Sequence, residues 1–508
     1  MDFRRARTVR EPRHARSLIL GSPDMQAVNQ LNSESFAGVD RAIERAREAQ
    51  VSYGTSSRAV RSSLLRGLAD ALERDAVELV AVADSETSLG AARLNGELAR
   101  TAFQLRGFAE RVESGAAHRQ VDDAAVAGTP PAGRPHLTRV LLPLGPVAMF
   151  SASNFPFAFS VLGGDTASAL AAGCAVIVKP HSGHPALSRL VHALAVAVLR
   201  EHGLPEGTIA FVDQASREAA VHLVGHADVA AVAFTGSYQG GVALWRAANA
   251  RRRPIPFYGE LGSINPLVVL PDALQDGVDA PAANLAASIT IGCGQFCTSP
   301  GLILVRDDAQ GEHFAQALAY ALSTQKTHAM LTPAMRAGFE KAASHIASQP
   351  GVRVRLAAAE QDDAAAGPAP RLFETDAEAF VANAALHEEM FGPAALIVKV
   401  RDEAQTLAVL DAVEGTLTAT MWGAQADTLE NRRIAAAAQR IAGRVLFGSV
   451  PTGVAVCDAQ QHGGPWPAST QPQTTSVGYA AIDRFLRPVA LQDAPRWALV
   501  ANSGTTAA

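Results

Sequence analysis

The sequence predicts an α/β protein of more than one domain, built on parallel β-sheets that helices cover on both faces. Short apolar runs alternate with amphipathic stretches between residues 147 and 270, and a second segment of this kind extends to about residue 460. Strands at this spacing, joined by helices, form right-handed βαβ units. The 508 residues also exceed the size at which one hydrophobic core stops growing, so at least two domains are expected.

The N-terminal quarter of the chain is predicted to be helical. Stretches such as VDRAIERAREAQ place apolar residues three and four apart with charges between them. A Gly/Pro cluster at 128–136 ends this pattern, and LTRVLLPLG follows as extended chain. The first sixteen residues contain six arginines and no apolar signal region, and we interpret them as a tail or an over-extended start site, with a transit peptide as the alternative.

Strand candidates follow in two groups. VAMFSA, CAVIVKP, TIAFV and VAAVAFTGS alternate with helices and predict the first parallel sheet, while AALIVKV, TATMWG and RVLFGSV predict strands of the second. Near the C-terminus, FLRPVALQ is a further strand candidate that pairs with another element or with another subunit.

Composition excludes several classes of function. A net charge of −5 on this mass does not suit a nucleic-acid binder, which needs a basic face. No run of eighteen apolar residues occurs, so no membrane span is expected. Four cysteines in a chain of this size do not form a disulfide framework, which favours a reducing cytoplasm.

Two of those cysteines, Cys293 and Cys297, lie four apart in GCGQFCTSPG at 292–301. A zinc site is poorly supported, because no second Cys/His pair stands at ligand spacing, and no metal is expected. Free cysteine is usually a buried, inert hydrophobe, which suits Cys293. Glycines around Cys297 allow the backbone to approach a ligand closely, yet a cysteine in such a loop is by itself more often structural.

Six further motifs accompany this loop in a fixed order: SNFPF, VIVKP, AFTGSYQGG and FYGELGSINP upstream, and HEEMFGP and HGGPWP downstream. From about residue 35 to the C-terminus the set resembles the aldehyde dehydrogenase superfamily. Within it, segments such as FYGELGSINP and PTGVAVCDAQQHGGPWPAS are similar to the 2,5-dioxovalerate (α-ketoglutaric semialdehyde) dehydrogenases. The resemblance implies a Rossmann-type cofactor domain, an α/β catalytic domain and a small oligomerisation β-element.

The resemblance also implies the catalytic roles. Cys297 matches the nucleophile that converts the aldehyde into a thiohemiacetal able to release hydride. Asn154 matches the donor to the oxyanion, together with the Cys297 backbone N–H. Glu260 matches the base that activates water against the thioester, and its apolar surroundings predict a raised pKa. Without the motifs, Asn154 is a turn residue and Glu260 a solvated surface carboxylate. His462 receives no catalytic role.

For the cofactor, the resemblance implies a dinucleotide held without a G-x-G-x-x-G fingerprint. Gly236 and Ser237 match positions between a strand and a helix start, where N–H groups bind a pyrophosphate. Lys179 matches the lysine that hydrogen-bonds the adenosine ribose, and it is also predicted to belong to the catalytic residues. Glu389 matches the residue that holds the nicotinamide ribose, with Phe391 beside it.

The choice between NAD and NADP depends on two positions. Ser182 stands where many relatives carry an acid that disfavours a 2′-phosphate, and Arg217 aligns with an arginine that pairs with this phosphate in some relatives. We therefore predict that NADP is accepted and preferred, with NAD as the alternative; an exposed arginine and a loop serine without any role remain the simpler interpretation.

The predicted organisation is a tail over 1–20, a cofactor-binding domain over 21–130 and 147–258, a catalytic domain over 259–465, and an oligomerisation element with C-terminal tail over 131–146 and 466–508. Subunits of relatives pair through strands like LTRVLLPLG and FLRPVALQ, so a homodimer or homotetramer is expected. A small-molecule aldehyde is the expected partner, without nucleic acid or membrane.

The predicted reaction is the NAD(P)-dependent oxidation of 2,5-dioxopentanoate to 2-oxoglutarate. Three alternatives differ in substrate, acceptor or class: a fatty or medium-chain aldehyde dehydrogenase, a coenzyme A-acylating relative, and a catalytically silent structural or binding relative. The presence of Glu260 weakens the coenzyme A-acylating alternative, because a base that activates water is needed only when water accepts the acyl group. Together Cys297, Glu260 and Asn154 weaken the third.

Overall fold

The computed structural model describes residues 23–213, 216–357 and 367–503. The Arg-rich tail predicted over 1–20 lies outside the described residues. The helices are α1 (Pro23–Tyr53), α2 (Arg58–Arg74), α3 (Ala76–Thr87), α4 (Ala91–Glu113), α5 (Gly164–Ala172), α6 (Pro185–Glu201), α7 (Arg217–Gly225), α8 (Tyr238–Asn249), α9 (Asp279–Thr290), α10 (Ala309–Ser323), α11 (Pro333–Ala347), α12 (Ala377–Ala382), α13 (Glu403–Ala412), α14 (Leu429–Ile441) and α15 (Arg496–Ser503). The strands are β1 (Val121–Asp123), β2 (Leu137–Pro143), β3 (Val147–Phe150), β4 (Val176–Lys179), β5 (Ile209–Phe211), β6 (Ala231–Thr235), β7 (Phe257–Glu260), β8 (Pro266–Val269), β9 (Leu302–Arg306), β10 (Arg353–Leu356), β11 (Arg371–Asp376), β12 (Ala394–Val400), β13 (Thr416–Trp422), β14 (Ala442–Phe447) and β15 (Leu486–Gln492).

The first sheet has the order β5-β4-β3-β6-β7, and all of its strand pairs are parallel. Side chains alternate between its two faces: Val147 and Met149 pack into one hydrophobic cluster, and Ala148 and Phe150 pack into another on the opposite face. A strand buried on both faces reads as a continuous apolar run, which is why VAMF was recognisable. The predicted α/β fold class is confirmed.

The second sheet has the order β10-β11-β12-β9-β8-β13-β14, parallel except for β10. It is covered on both faces in the same way. Leu302 and Leu304 of β9 enter one cluster, and Ile303 and Val305 enter the other. The chain passes from the first sheet to the second directly after β7.

A third sheet, of three strands in the order β1-β2-β15, is antiparallel. The predicted C-terminal strand therefore pairs with β2 of its own chain. Two strands do not follow the predicted domain division: β7 crosses the 258/259 boundary, and β1 belongs to this third sheet although it falls within 21–130. The division into domains stays a prediction.

Local signals fix the helix ends near the site. Ser237 precedes α8, and its side chain accepts a hydrogen bond from Gly240 N, as a helix-capping serine does. Gly173 ends α5 with a φ of 92°, a left-handed conformation that favours glycine. No helix among the described residues is long and apolar enough to cross a membrane.

Candidate active site

The site forms where the carboxyl ends of the first sheet's strands meet. Strand register places Phe150 of β3 opposite Lys179 of β4, and Thr235 of β6 opposite Glu260 of β7. Asn154 follows β3 by four residues. In open parallel sheets, ligands bind outside this edge, because loops and helix N-termini converge there. The topology thus brings together residues that are distant in sequence.

A cysteine, a histidine and a carboxylate meet at this edge. Sγ of Cys297 lies 3.6 Å from Nε2 of His462, and this nitrogen lies 3.1 Å from Oε1 of Glu260. The reactive atoms of all three lie within 4.8 Å of one another. Thiolate, imidazole and carboxylate also ligate metals, so a divalent cation bound here would block the thiol. No role was predicted for His462, which is 202 positions from Glu260.

The segment that carries His462 lies along the edge of β7. Leu261 N donates to Ala468 O at 2.8 Å, and Thr470 N donates to Gly259 O at 3.0 Å. A strand-like bridge also joins Glu260 to Ser469. These backbone hydrogen bonds place the HGGPWPAS segment against the first sheet, and its first residue, His462, therefore lies beside Glu260. The HGGPWP motif was the only sequence signal for a functional segment here, and no spacing rule predicts that this segment lies beside β7.

The two acids of the cluster have pKa values shifted in opposite directions. Burial, the charge of Glu260 and that of Glu389 raise the pKa of Cys297 well above its ordinary value. Burial alone would raise the pKa of Glu260 as well. The charge and hydrogen bond of His462, together with the 2.7 Å hydrogen bond from Ser476 Oγ, outweigh burial and lower it. The prediction of a raised pKa for Glu260 is therefore wrong, because Glu260 has hydrogen-bonding partners that its apolar sequence neighbours did not reveal.

This arrangement can separate a proton from the thiol. At neutral pH the carboxylate of Glu260 is ionised, since its pKa is low, while the thiol of Cys297 keeps its proton. In the tautomer that carries its hydrogen on Nδ1, His462 presents the lone pair of Nε2 to the sulfur at 3.6 Å and can accept that proton, after which the Nε2–H of the imidazolium lies between two anions. His462 is therefore placed to generate the thiolate.

Replacing His462 with glutamine is expected to lower kcat/KM about 100-fold, because an amide cannot accept the proton. Alkylation of Cys297 by iodoacetamide, measured by mass spectrometry on its peptide, should rise with pH, and in His462→Gln the rise should move to higher pH. The assay uses a Cys457→Ser background, since Cys457 is exposed. His313→Gln, on exposed α10 surface, is the matched control. An unshifted profile would remove His462 from thiol activation.

The loop before Cys297 has an unusual backbone. Gly292, Cys293 and Gly294 are consecutive left-handed residues, with φ values of 56°, 60° and 67°. A Cβ on Gly294 would collide with the backbone of Gly392, so glycine is required there. Cys293 itself is fully buried in the core of the second sheet, and burial raises its pKa to about 12. A thiol with these properties suits packing better than catalysis.

Asn265 holds the other side of this loop, and no role was predicted for it. Its Nδ2 donates to the backbone oxygens of Cys297 at 2.8 Å and Ser299 at 2.9 Å. Its Oδ1 accepts from Thr418 N at 3.2 Å, which anchors it to β13. Asn265 lies within the quoted FYGELGSINP motif, and the motif was the only sequence signal for this positioning function.

Asn154 lies directly beside the nucleophile loop. Its side chain is buried, and Nδ2 donates one hydrogen bond, 2.9 Å long, to Gln295 O. An amide nitrogen carries two hydrogens, so a second N–H is available to an oxyanion. Buried Glu97 of α4 fixes the loop that follows, because its Oε1 accepts from Phe157 N and Ala158 N at 2.8 and 2.9 Å. This role of Glu97 was also missed.

Glu389 lies close to the same cluster, and burial raises its pKa to about 8. Its Oε2 lies so near Gly262 that a Cβ there would come within 2.7 Å. Its neighbour Glu388 is exposed, whereas Glu389 and Phe391 are partly buried. A carboxyl group held at the border between protonation states is suited to a hydrogen bond with a ribose hydroxyl.

The start of α8 fits the pyrophosphate of a dinucleotide. Gly236 and Ser237 are exposed at the end of β6, and the first turn of the helix contains no acidic residue. An amide-lined helix N-terminus without a negative side chain favours phosphate. Lys179 ends β4 two strands away and is partly buried, which lowers its pKa. The residues present therefore fit NAD or NADP.

Ser182 and Arg217 are both exposed at this edge. Ser182 follows β4 and Arg217 begins α7 after β5, and these two strands are neighbours in the sheet. Both side chains are free to meet a ligand that extends from α8 across the strand ends.

Comparisons with known proteins give a consistent result. The sequence model described as the aldehyde dehydrogenase family matches residues 22–465. Alpha-ketoglutaric semialdehyde dehydrogenase 2 of Azospirillum brasilense is 45% identical over 460 residues, which cover 90% of this chain and 87% of the relative. Alpha-ketoglutaric semialdehyde dehydrogenase of Acinetobacter baylyi is 38% identical over 93% of this chain and 90% of the relative. The crystal structure of PnpE in complex with nicotinamide adenine dinucleotide superimposes with a TM-score of 0.75 at 23% identity, covering 91% of each chain.

Proposed function

From the premise that this chain belongs to the aldehyde dehydrogenase family, we propose that it oxidises 2,5-dioxopentanoate to 2-oxoglutarate with NAD or NADP. The observation that carries the proposal is the contact of Cys297 with His462 and Glu260 at the edge of the first sheet. It supplies a nucleophile, a proton acceptor and a hydrolytic base in one place. The names of the two relatives at 45% and 38% identity support the choice of substrate.

In the first half-reaction, the thiolate of Cys297 forms a C–S bond with the aldehyde carbon. The π electrons of the carbonyl move to its oxygen, which becomes an oxyanion. The free N–H of Asn154 and the backbone N–H of Cys297 stabilise that charge, and each such donor contributes about 3 kcal/mol. The bound dinucleotide supplies the hydride acceptor. As the oxyanion's electrons re-form the carbonyl bond, the C–H bond of this carbon breaks and its electron pair leaves with the hydride, so a thioester on Cys297 remains.

In the second half-reaction, Glu260 removes a proton from water. The new C–O bond forms at the thioester carbon, the C–S bond breaks, and the sulfur leaves as the thiolate. The proton on Glu260 and the proton of the new carboxylic acid pass to solvent, and the product leaves as a carboxylate. Because its pKa is low, Glu260 is ionised and ready to act at neutral pH.

Initial rates of cofactor reduction, measured by absorbance with 2,5-dioxopentanoate and with hexanal, test the proposed substrate. We expect the dioxo acid to have the higher kcat/KM. A higher value for hexanal would assign the chain to medium-chain aldehydes instead. Coenzyme A should not raise the rate, because Glu260 activates water, and water is then the acceptor of the acyl group.

We also propose that NADP is preferred over NAD, supported by the exposed Ser182 and Arg217 at neighbouring strand ends. Replacing Arg217 with alanine is expected to lower kcat/KM for NADP about tenfold and to leave NAD nearly unchanged, since only NADP has a 2′-phosphate. The same rate assay with both cofactors measures this ratio. Arg246→Ala, exposed at the far end of α8, is the control. Equal losses for both cofactors would contradict the assignment.

A homodimer or homotetramer is proposed as the assembly, supported by the third sheet. Its strand β15 pairs with β2 on one side, while its other side faces no strand among the described residues. An edge of this kind is able to pair with a second copy. Light scattering on the purified protein measures the mass, and a monomer would contradict the proposal. A reducing cytoplasm, expected from the cysteine content, remains a proposal too; all four cysteines are free.

A further inference from the structure

Two arginines of α4 line the aromatic side of the site. Arg93 and Arg100 lie two helical turns apart on one face of the helix, a spacing that points both side chains in the same direction. The guanidinium carbon of Arg93 lies 4.8 Å from the ring centroid of Phe296 and 5.2 Å from that of Phe155. The guanidinium carbon of Arg100 lies 5.5 Å from the ring of Phe159. Two cations thus lie against an aromatic wall formed by Phe155, Phe159 and Phe296.

Arg100 makes few of the hydrogen bonds that its guanidinium offers. Its Nη2 donates to Val454 O at 3.5 Å, the limit of a hydrogen bond, and its Nη1 is buried without a partner among the described residues. Glu97, the carboxylate nearest in sequence, directs Oε1 to the backbone of the loop at 157–158, and its Oε2 makes no hydrogen bond to Arg100, although its charge acts on this arginine. An unsatisfied buried donor is costly, so a ligand that accepts from Nη1 is favoured.

The two other arginines near the nucleophile are committed elsewhere. Arg93 donates Nη2 to Asn154 O at 2.6 Å, and its Nη1 lies against Gly292. Arg444 donates Nη1 to Gly453 O at 2.9 Å and Nη2 to Pro451 O at 2.6 Å. Each keeps one buried N–H group without a partner, but neither retains a free pair of N–H groups for a carboxylate. Arg100 differs because Nη1 has no partner among the described residues and Nη2 makes only the 3.5 Å hydrogen bond to Val454 O.

Phe159 connects Arg100 to the reacting sulfur. The ring of Phe159 lies 6.4 Å from the ring of His462, whose Nε2 is 3.6 Å from Sγ of Cys297. An aldehyde bonded to this sulfur can therefore lie along the Phe159 ring with its far end toward Arg100. In 2,5-dioxopentanoate three carbons separate the aldehyde carbon from the carboxylate, and two of them are apolar methylenes that suit contact with a ring.

We propose that Arg100 binds the carboxylate of the substrate through its two terminal nitrogens and sets the preference for aldehydes that carry an acid at the far end. This inference rests on the proposed function, since it names the group that recognises the substrate's acid. Arginine suits the task because its planar fork matches two carboxylate oxygens.

The test compares 5-oxopentanoate with pentanal, which have the same length and differ in a terminal carboxylate against a methyl group. In Arg100→Met, kcat/KM for 5-oxopentanoate and for 2,5-dioxopentanoate is expected to fall by about 30-fold or more, through KM above all, while pentanal changes by less than about threefold. Arg100→Lys keeps the charge but not the fork, and it should lose about five- to tenfold on the acids. Arg106→Met, on the same helix but ion-paired with Asp70 and Glu73 of α2, is the control, and its ratio of acid to neutral aldehyde should match the wild type.

The failure of each proposal has its own signature. Equal losses for acid and neutral aldehydes in Arg100→Met, or no loss for either, would overturn the assignment of Arg100. If that variant does not fold, Arg100→Lys decides by the same ratio. The proposed function is tested separately in the wild type: a kcat/KM for 2,5-dioxopentanoate below that for hexanal would overturn it, while the ratio of 5-oxopentanoate to pentanal still reports on Arg100.

Discussion

Cys297→Ser is expected to abolish aldehyde oxidation, with kcat reduced by about 10⁴-fold or more. A serine hydroxyl is far less acidic than a thiol, and His462 cannot ionise it appreciably at neutral pH. Sγ of Cys297 is the atom that lies 3.6 Å from the imidazole, and no other sulfur occupies this place among the described residues. The initial rate of cofactor reduction with 2,5-dioxopentanoate measures the loss.

Binding of the cofactor distinguishes a chemical defect from misfolding. The start of α8 and the end of β4 do not depend on the thiol, so titration of Cys297→Ser with NADP should give a Kd close to that of the wild type. Retained turnover in this variant would exclude Cys297 as the nucleophile.

Cys293→Ala is the matched control, since it removes a thiol from the same loop. Because Cys293 is fully buried and packs in the core of the second sheet, its loss should lower stability slightly and leave most of the activity. A loss as deep as that of Cys297→Ser would show that the two thiols share the chemistry.

Glu260→Gln is expected to produce a burst of reduced cofactor, close to one equivalent per active site, followed by a steady state about 100-fold slower than that of the wild type. The first half-reaction needs the thiol and the oxyanion donors, whereas the second needs the base that Glu260 provides. Stopped-flow absorbance separates the two phases. An unaltered steady state would remove Glu260 from the mechanism.

The charge of Glu260 makes a second, opposite contribution. It raises the pKa of Cys297, so its removal lowers that pKa and increases the thiolate fraction at a given pH. The rate of the burst at neutral pH should therefore not fall. Hydroxylamine, a nucleophile that needs no base, should restore turnover in Glu260→Gln by attacking the thioester. No acceleration by hydroxylamine would mean that hydrolysis is not the slow step.

The motifs around the site were sufficient to choose Cys297, Glu260 and Asn154, because each lies in a segment whose residue types and order resemble those of a large family. The topology then brings all three together: Asn154 follows β3 and Glu260 ends β7 at one edge of the first sheet, and the loop before β9 brings Cys297 to that edge. Strand ends are readable from sequence because apolar runs stop where loops begin. The distances between side chains are not readable in this way.

His462 is the clearest example of a side-chain contact that the sequence does not predict. Its sequence surroundings give no reason to assign it to the cluster, and its contact with Glu260 depends on backbone hydrogen bonds between two segments about 200 residues apart. The same contact reverses the expected pKa shift of Glu260. Glu97 and Asn265 were missed for the same reason, because each hydrogen-bonds a loop that is distant from it in sequence.

By itself the sequence determined the fold class, seven of the twelve strands in the two large sheets and the family, and it predicted Cys297 as the nucleophile, since these depend on local patterns and on motifs that stay contiguous along the chain. Tertiary structure alone decided which imidazole lies beside the sulfur of Cys297, which way the pKa of Glu260 moves and which arginine keeps a buried nitrogen without a partner beside Phe159. The physical reason is that proton affinity and hydrogen-bond satisfaction depend on burial and on partners within a few ångströms, and folding brings those partners from distant positions.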